Sequence, residues 1–430
     1  MSIGLVYHLV KLCKNQWLTK QELEQLQQRK LQRIIKHAYE RVSYYHKLFN
    51  SVGIKPEDIR SKEDLRYIPI TSRTRIQNLP TNEITAQGVM LRDCHRMRTS
   101  GSTGIPLEII KSEKDYQLSN LTMLRSLLAN GYRLTDRHVV VHTPKRPRRY
   151  WFQYLGLMRQ NCISPFDNLG DQIRQLRQAR PDLIRGLSSS LRRIAEEVKR
   201  RHVTGIFPRV VATGGELLDP KTRQIIQSGF RSKVVDFYNS YECGNIAWEC
   251  GRYEGYHMNI DSLVIEIVNN AMSVRPGEKG EVLITSLDSY AMPLIRYRIK
   301  DIATGGESLC SCGRGLPLLR RIEGRTDDEI VLSNGAIVSP FELLCRLENI
   351  PGVLQFRVIQ KKIDSFVIQL NREPNAAPGT LMGRVRRELG GVLGDRCSIE
   401  IRVVDEIPRD PSGKIRSVIS KVKRGSNKGL

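Results

Sequence analysis

Short β-branched runs alternate with amphipathic helical segments through the middle of the chain, and this alternation constrains the fold most. Residues 138–142 (HVVVH) read as a buried strand. Leu191, Ile194 and Val198 recur at helical spacing, and Gly205 stands where it can close that helix. Residues 208–212 and 233–238 are further β-branched runs. Such a pattern predicts an α/β body with a largely parallel sheet. The texture then changes. Residues 263–268 and 281–285 read as strands of a β-rich subdomain, with Pro276 and Gly277 marking a turn between them. After Asp327 the pattern restarts: a strand at 329–332, a helix from Pro340, strands around Phe356 and Phe366, a helix from Thr380 and a strand at 398–404. A chain of 430 residues exceeds one ordinary core. The expected architecture is α/β: a large N-terminal domain over residues 1–326, with mixed and parallel sheets and a β-rich subdomain, and a small α+β C-terminal domain over 327–430.

Near the start, Thr19 and Glu22 form a capping box, and Leu23, Leu26, Ile34, Ile35, Ala38 and Val42 follow at helical spacing. Residues 19–42 are therefore expected to form a helix. The apolar patch at residues 3–10 is broken by His8 and lacks the marks of a signal peptide. A short amphipathic helix packed against the body is the expectation there, and contact with a membrane surface is the sharper alternative.

No apolar run is long enough to span a bilayer, and nine cysteines without an export signal point to a reducing, cytoplasmic setting. Peripheral contact at the inner face of a membrane stays open. Lys and Arg exceed Asp and Glu by 24, spread over separate segments such as residues 145–149, 199–201 and 421–424. That field favours anionic partners: nucleotides, an anionic polysaccharide, or the lipids around a membrane-associated pathway. With aromatics at only 6% and not interleaved with the basic runs, nucleic acid is disfavoured.

Five short blocks carry chemistry. Residues 98–106 (RTSGSTGIP) combine glycines with hydroxyls, and Ser100, Gly101, Ser102, Thr103 and Gly104 suit a loop that cradles phosphates without being a Walker loop. Tyr238, Asn239, Ser240, Tyr241 and Glu242 follow a predicted strand, where α/β proteins place ligands, and a carboxylate there suits Mg²⁺. Asp301, in RYRIKD, can accept from both ribose hydroxyls. Gly324, Arg325, Thr326, Asp327 and Asp328 mark the domain boundary, and residues 408–416 (PRDPSGKIR) form a turn-rich loop presenting Lys414. Taken singly, each block reads equally well as a solvated turn.

In this order the blocks resemble the acyl-CoA synthetase and adenylation superfamily, and within it phenylacetate–CoA ligases and CapK-type capsular polysaccharide proteins. Residues 39–45 (YERVSYY), 180–186 (RPDLIRG) and 292–297 (MPLIRY) add to the likeness, which runs from the first long helix to Lys414. The resemblance implies ATP-dependent formation of an acyl-AMP from a small carboxylic acid, then acyl transfer to coenzyme A. It leaves two alternatives: acylation or amidation of a polysaccharide sugar or carrier, and a non-catalytic nucleotide-binding scaffold. By the same resemblance, Ser100 to Gly104 hold the β- and γ-phosphates, and Gly214, Gly215 and Glu216 pass along the adenine. Tyr238 and Asn239 line the base pocket, Glu242 binds Mg²⁺, and Asp301 and Arg325 fix the ribose. Asp327 is the hinge of a mobile C-terminal lid, and Lys414 reaches the α-phosphate and the acyl carboxylate.

Cys250, His257, Cys310 and Cys312 supply Cys-x₆-His and Cys-x-Cys pairs suited to tetrahedral Zn²⁺. The plainer reading is four reduced, partly buried side chains.

Overall fold

The computed structural model describes residues 3–98, 107–143, 151–306, 309–394 and 397–422. They divide into two compact units, each assembled from two stretches of chain: Met1–Leu134 with Val235–Arg321, and Thr135–Val234 with Ile322–Leu430.

In the first unit the helix Lys20–Arg41 opens on the expected capping box. Thr19 N–H donates to Glu22 Oε2 at 2.8 Å, and Glu22 N–H donates to Thr19 Oγ1 at 3.3 Å, so two donors that a helix start leaves orphaned are satisfied. Leu23, Leu31, Ile34, Ile35 and Ala38 form its buried stripe. Leu26 is only half-buried, and Gln27 takes the inward place instead. The Gln27 amide donates to Ile260 O at 3.1 Å and Leu263 O at 2.9 Å, so its burial leaves no polar group unsatisfied. The helix Ile3–Asn15 packs through Leu9 and Leu12 and leaves Val6, Tyr7 and Val10 exposed. Arg125, on the helix Glu113–Ala129, donates to Leu12 O at 3.3 Å and pairs with Asp261 Oδ2 at 2.7 Å, both charged side chains being fully buried. Removing one member of such a pair costs about 3–5 kcal/mol.

The β-rich subdomain belongs to this unit. Leu263–Asn269, Lys279–Ser286 and Tyr297–Gly305 lie side by side and antiparallel. Further along the same array come Leu318–Arg325, Tyr256–Met258, Gly244–Glu249 and Lys233–Ser240.

In the second unit four parallel strands run in the order Val210–Gly214, Leu183–Gly186, His138–Val141, Gln160–Ile163. Val139, Val141, Ile184 and Val211 are wholly buried, as a parallel sheet covered by helices requires. The helix Ser188–Arg200 ends before Gly205 is reached. His202 adopts the left-handed conformation (φ 51°), and Val203 N–H donates back to Val198 O at 2.9 Å. A histidine thus takes the terminating role that glycine usually fills.

The rest of this unit is a sheet ordered Ser398–Val403, Ser365–Arg372, Val353–Lys362, Val418–Ser420, with helices Pro340–Glu348 and Pro378–Leu393 packed on one core. The second of these helices starts at Pro378 rather than Thr380, because proline's fixed φ suits the first helical position. Among the described residues no helix is long and apolar enough to cross a membrane.

Candidate active site

In the first unit the strand Lys233–Ser240 turns back into Gly244–Glu249. Cys243 N–H donates to Ser240 Oγ at 3.0 Å and closes the turn that presents Tyr241 and Glu242. The Tyr238 hydroxyl donates to Asp301 Oδ2 at 2.8 Å, so the structure brings these two sequence-predicted residues together. Asp301 lies on a bulge. Glu281 pairs with Ile302 and Leu283 with Arg298, so extra residues of the Asp301 strand are accommodated there, and Lys300 sits at φ 66°. A bulge re-aims the side chains beside it. Asn239 is half-buried at the strand's end. The Glu242 carboxylate stands 3.7 Å from the guanidinium of Arg73, which opens the helix Arg73–Gln77.

The same turn has a neighbour that the sequence did not announce. Lys111, on the strand Glu108–Ser112, is only 2% exposed. Its Nζ donates to Ser119 Oγ at 3.2 Å. Burial pushes its pKa down, and the charges of Cys243, Asp115 and Glu242 act on it in the opposite direction. Among apolar neighbours in an Ile-Ile run, one lysine carries no sequence signal that it points inward.

In the second unit Gly214 ends its strand and Gly215 follows at φ 81°. Lys414 comes from the loop Pro408–Arg416, yet a Cβ on Gly215 would lie 3.6 Å from Lys414 Cε and 3.9 Å from its Nζ. The structure therefore brings Lys414 against Gly215. Asp410 organises the loop: its Oδ1 accepts from Ser412 N–H at 2.8 Å and Lys414 N–H at 3.0 Å. Arg409 donates to Ser190 Oγ at 3.0 Å and Gly413 O at 2.7 Å. Thr143 Oγ1 donates to Ser412 O at 3.1 Å. Glu216 fastens the arrangement. Its half-buried carboxylate accepts from Ser189 N–H at 2.8 Å and Ser189 Oγ at 3.0 Å, and from Ile415 N–H at 2.6 Å. The helix Ser188–Arg200 has no side-chain cap of its own, so Glu216 supplies one. Burial raises the Glu216 pKa, and the hydrogen bonds from Ser189 and Ile415 oppose that shift.

Arg325 ends the strand Leu318–Arg325, and Asp327 lies in the single 3₁₀ turn Thr326–Asp328 that follows, where Asp328 accepts from Arg416. The phosphate-loop candidates Ser100, Gly101, Ser102, Thr103 and Gly104 lie outside the described residues. The supporting residues Arg409, Ser189, Thr143 and Arg73 were missed, because only tertiary contacts reveal them.

The ligand atoms of Cys250, His257, Cys310 and Cys312 all lie within 4.8 Å of one another. Cys250 Sγ is 3.6 Å from Cys310 Sγ, and Cys312 Sγ is 3.5 Å from His257 Nε2. Tetrahedral Zn²⁺ with bonds of about 2.0–2.3 Å sets its ligands roughly 3.5–3.8 Å apart, so this donor set fits. His257 Nδ1 faces Leu316 O at 3.4 Å, which leaves Nε2 turned towards the thiols.

Comparison with known proteins agrees with the fold. Residues 330–421 match the CapK C-terminal domain model. The chain is 27% identical to the phenylacetate–coenzyme A ligase of Escherichia coli K12, over 90% of this chain and 92% of that protein. It is 23% identical to protein CapK of Staphylococcus aureus, over 65% of this chain and 62% of that one. Among solved structures, 2-hydroxyisobutyryl-CoA ligase in its postadenylation state superposes with a TM-score of 0.81 at 19% identity, covering 95% of this chain and 91% of that one. The chain thus has the fold of the acyl-CoA ligases of the adenylate-forming superfamily, and nearly its whole length is similar in sequence to phenylacetate–coenzyme A ligases.

Proposed function

We propose that the protein activates a carboxylic acid with ATP and then passes the acyl group to the thiol of coenzyme A. In the first step a carboxylate oxygen bonds to the α-phosphorus as the bond to the β-phosphate oxygen breaks, giving acyl-AMP and pyrophosphate. In the second, the sulfur of coenzyme A attacks the acyl carbon, AMP leaves with the bonding electrons, and the thiol proton goes to solvent.

The observation that carries this reading is the placement of Lys414 against Gly215 by a loop anchored through Glu216, Arg409 and Asp410. Carboxylate and phosphate repel one another, so the reaction needs a cation already in place before charge develops. The Lys414 ammonium supplies it, with the backbone of Gly214 and Gly215 beside the adenine. Tyr238 holds Asp301, which with Arg325 takes the ribose, and Asn239 lines the base. Ser100 to Gly104 serve the β- and γ-phosphates. Glu242 would hold Mg²⁺, which neutralises phosphate charge and is content with one or two carboxylates besides water and phosphate. Cys250, His257, Cys310 and Cys312 would hold Zn²⁺ as a cross-link between segments far apart in sequence. Residues 327–430 form the lid, which swings about Asp327 so that the thiol can enter once Lys414 has withdrawn.

A second acceptor is favoured by the CapK-type match at residues 330–421: a polysaccharide sugar or carrier in place of coenzyme A. The net charge of +24 suits an anionic polymer, and the exposed Val6, Tyr7 and Val10 suit a peripheral membrane contact.

The test is ATP–pyrophosphate exchange with Mg²⁺, without coenzyme A, across aryl, aliphatic and sugar acids. Exchange driven by one class of acid supports the reading, and adding coenzyme A then decides the acceptor. Absence of both exchange and ATP binding would overturn it.

A further inference from the structure

A buried charge is normally paired, because taking an ammonium out of water is costly. Lys111 departs from that rule. It is 2% exposed, and among the described residues its Nζ has one hydrogen-bond partner, the neutral hydroxyl of Ser119, with no carboxylate within ion-pair distance. An ammonium has three donors, so two have no partner among the described residues. The nearby acids are engaged elsewhere. Asp115 Oδ2 accepts from Ala291 N–H at 2.8 Å, and Glu242 lies beside Arg73.

The surroundings hold Lys111 in place. Its strand pairs with Cys94–Arg98, Lys111 standing opposite His95. Ser119 sits on the helix Glu113–Ala129, which packs against the turn carrying Glu242 so closely that a Cβ on Gly244 would come within 2.3 Å of Ser119 Oγ. Lys111 is therefore held through Ser119 beside the turn that carries Glu242, and it lies seven residues beyond the last of the phosphate-loop candidates.

We infer that Lys111 is a specificity residue that reads a second anionic group on the acid being activated, so that the preferred substrates are dicarboxylic or otherwise doubly anionic acids. This rests on the adenylation reading above, in which Lys414 already serves the reacting carboxylate and leaves Lys111 for a different group. Burial favours this use. An ammonium that has already lost its water meets an incoming carboxylate without a further desolvation cost of its own, and the charge-assisted bond is strong in such surroundings. A monocarboxylate of the same length brings an apolar end to an unpaired cation and is rejected, which is discrimination by an unsatisfied polar group.

The experiment compares straight-chain dicarboxylates from succinate to suberate with monocarboxylates of matched length, in ATP–pyrophosphate exchange with the intact wild-type chain and with Lys111→Met. Methionine keeps the volume and removes the charge, and a thermal melt of each protein checks that the fold survives. Wild type is expected to favour one diacid over its matched monoacid by about 100-fold in kcat/KM, the worth of one charge-assisted bond. Lys111→Met should cancel or invert that preference while leaving the KM for ATP unchanged. Lys111→Arg, which restores the charge, should recover part of the preference. Equal use of mono- and diacids by wild type would overturn the inference. So would a Lys111→Met variant that weakens ATP or pyrophosphate binding and spares the acid, since the lysine would then be a phosphate ligand. Absence of both exchange and ATP binding would instead sink the adenylation reading, and this inference with it.

Discussion

Lys414 and Glu216 are neighbours in space with separate tasks. On the proposed mechanism Lys414→Ala removes the cation that meets the developing charge, so adenylation should fall by about 10²–10⁴-fold while ATP affinity changes little. Pyrophosphate exchange with ATP titrated at fixed acid separates these effects, and an equal loss of ATP affinity would refute the assigned role. Glu216→Gln keeps the shape but sets an amide NH₂ against N–H or O–H donors on Ser189 and Ile415. A cost of about 1–3 kcal/mol in stability is expected for the donor left unmatched, together with slower adenylation, because the Lys414 loop loses its anchor. A urea melt and an exchange assay on the same preparation check both. The Lys414 block stood out in the sequence only in company with the other four, because a short loop crowded with glycine, proline and lysine reads by itself as a solvated turn. Lys111 could not, since a lysine in an apolar strand looks the same whether it points out or in.

Between elements, one ion pair fastens the helix Ser188–Arg200 to the helix Pro340–Glu348. Arg192 bonds Glu348, lies 2.9 Å from Glu196 and donates to Thr222 Oγ1 at 3.3 Å, and both Arg192 and Glu348 are buried. Arg192→Met leaves Glu348 alone in a dry site and should cost about 3–5 kcal/mol, whereas replacing both partners by apolar side chains should cost far less. A double-mutant cycle in urea reads the difference. Burial raises the Glu348 pKa from 4.5 to about 7, with Arg192 pulling it down and Asp219 pushing it up. The fold therefore binds this proton more tightly than the unfolded chain does, and the group's contribution to stability declines as pH climbs from about 4.5 to about 7. Glu348→Gln should flatten that part of the stability–pH profile, and an unchanged slope would assign the pH dependence to other groups. Elements of this kind were legible where caps and periodicity agree, as in the helix Lys20–Arg41. Their joints were not. Gln27 and Arg192 are polar residues whose burial depends on partners 233 and 156 residues away.

For the molecule as a whole, the α/β architecture and the restart after Asp327 could be read from hydrophobic period alone, because each core needs its own stripe of apolar residues. The division into units could not, since each draws on two separated stretches of chain. The four soft ligands span 63 residues of the first unit, so a bound Zn²⁺ should act on its global stability. About one zinc per chain is expected in untagged protein, and Cys310→Ser with Cys312→Ser should remove it and lower the Tm by roughly 5–10 °C. Metal analysis and calorimetry on the same samples check this. The interleaved units also set a timetable for biosynthesis. The first 134 residues cannot complete their core until the 187 residues from Thr135 to Arg321 have followed. At ordinary ribosomal speeds that is about 10–40 s. For that interval the inward-facing Gln27 amide lacks the carbonyls of Ile260 and Leu263 to which it donates, so a nascent chain stalled inside this window is the species most in need of a chaperone.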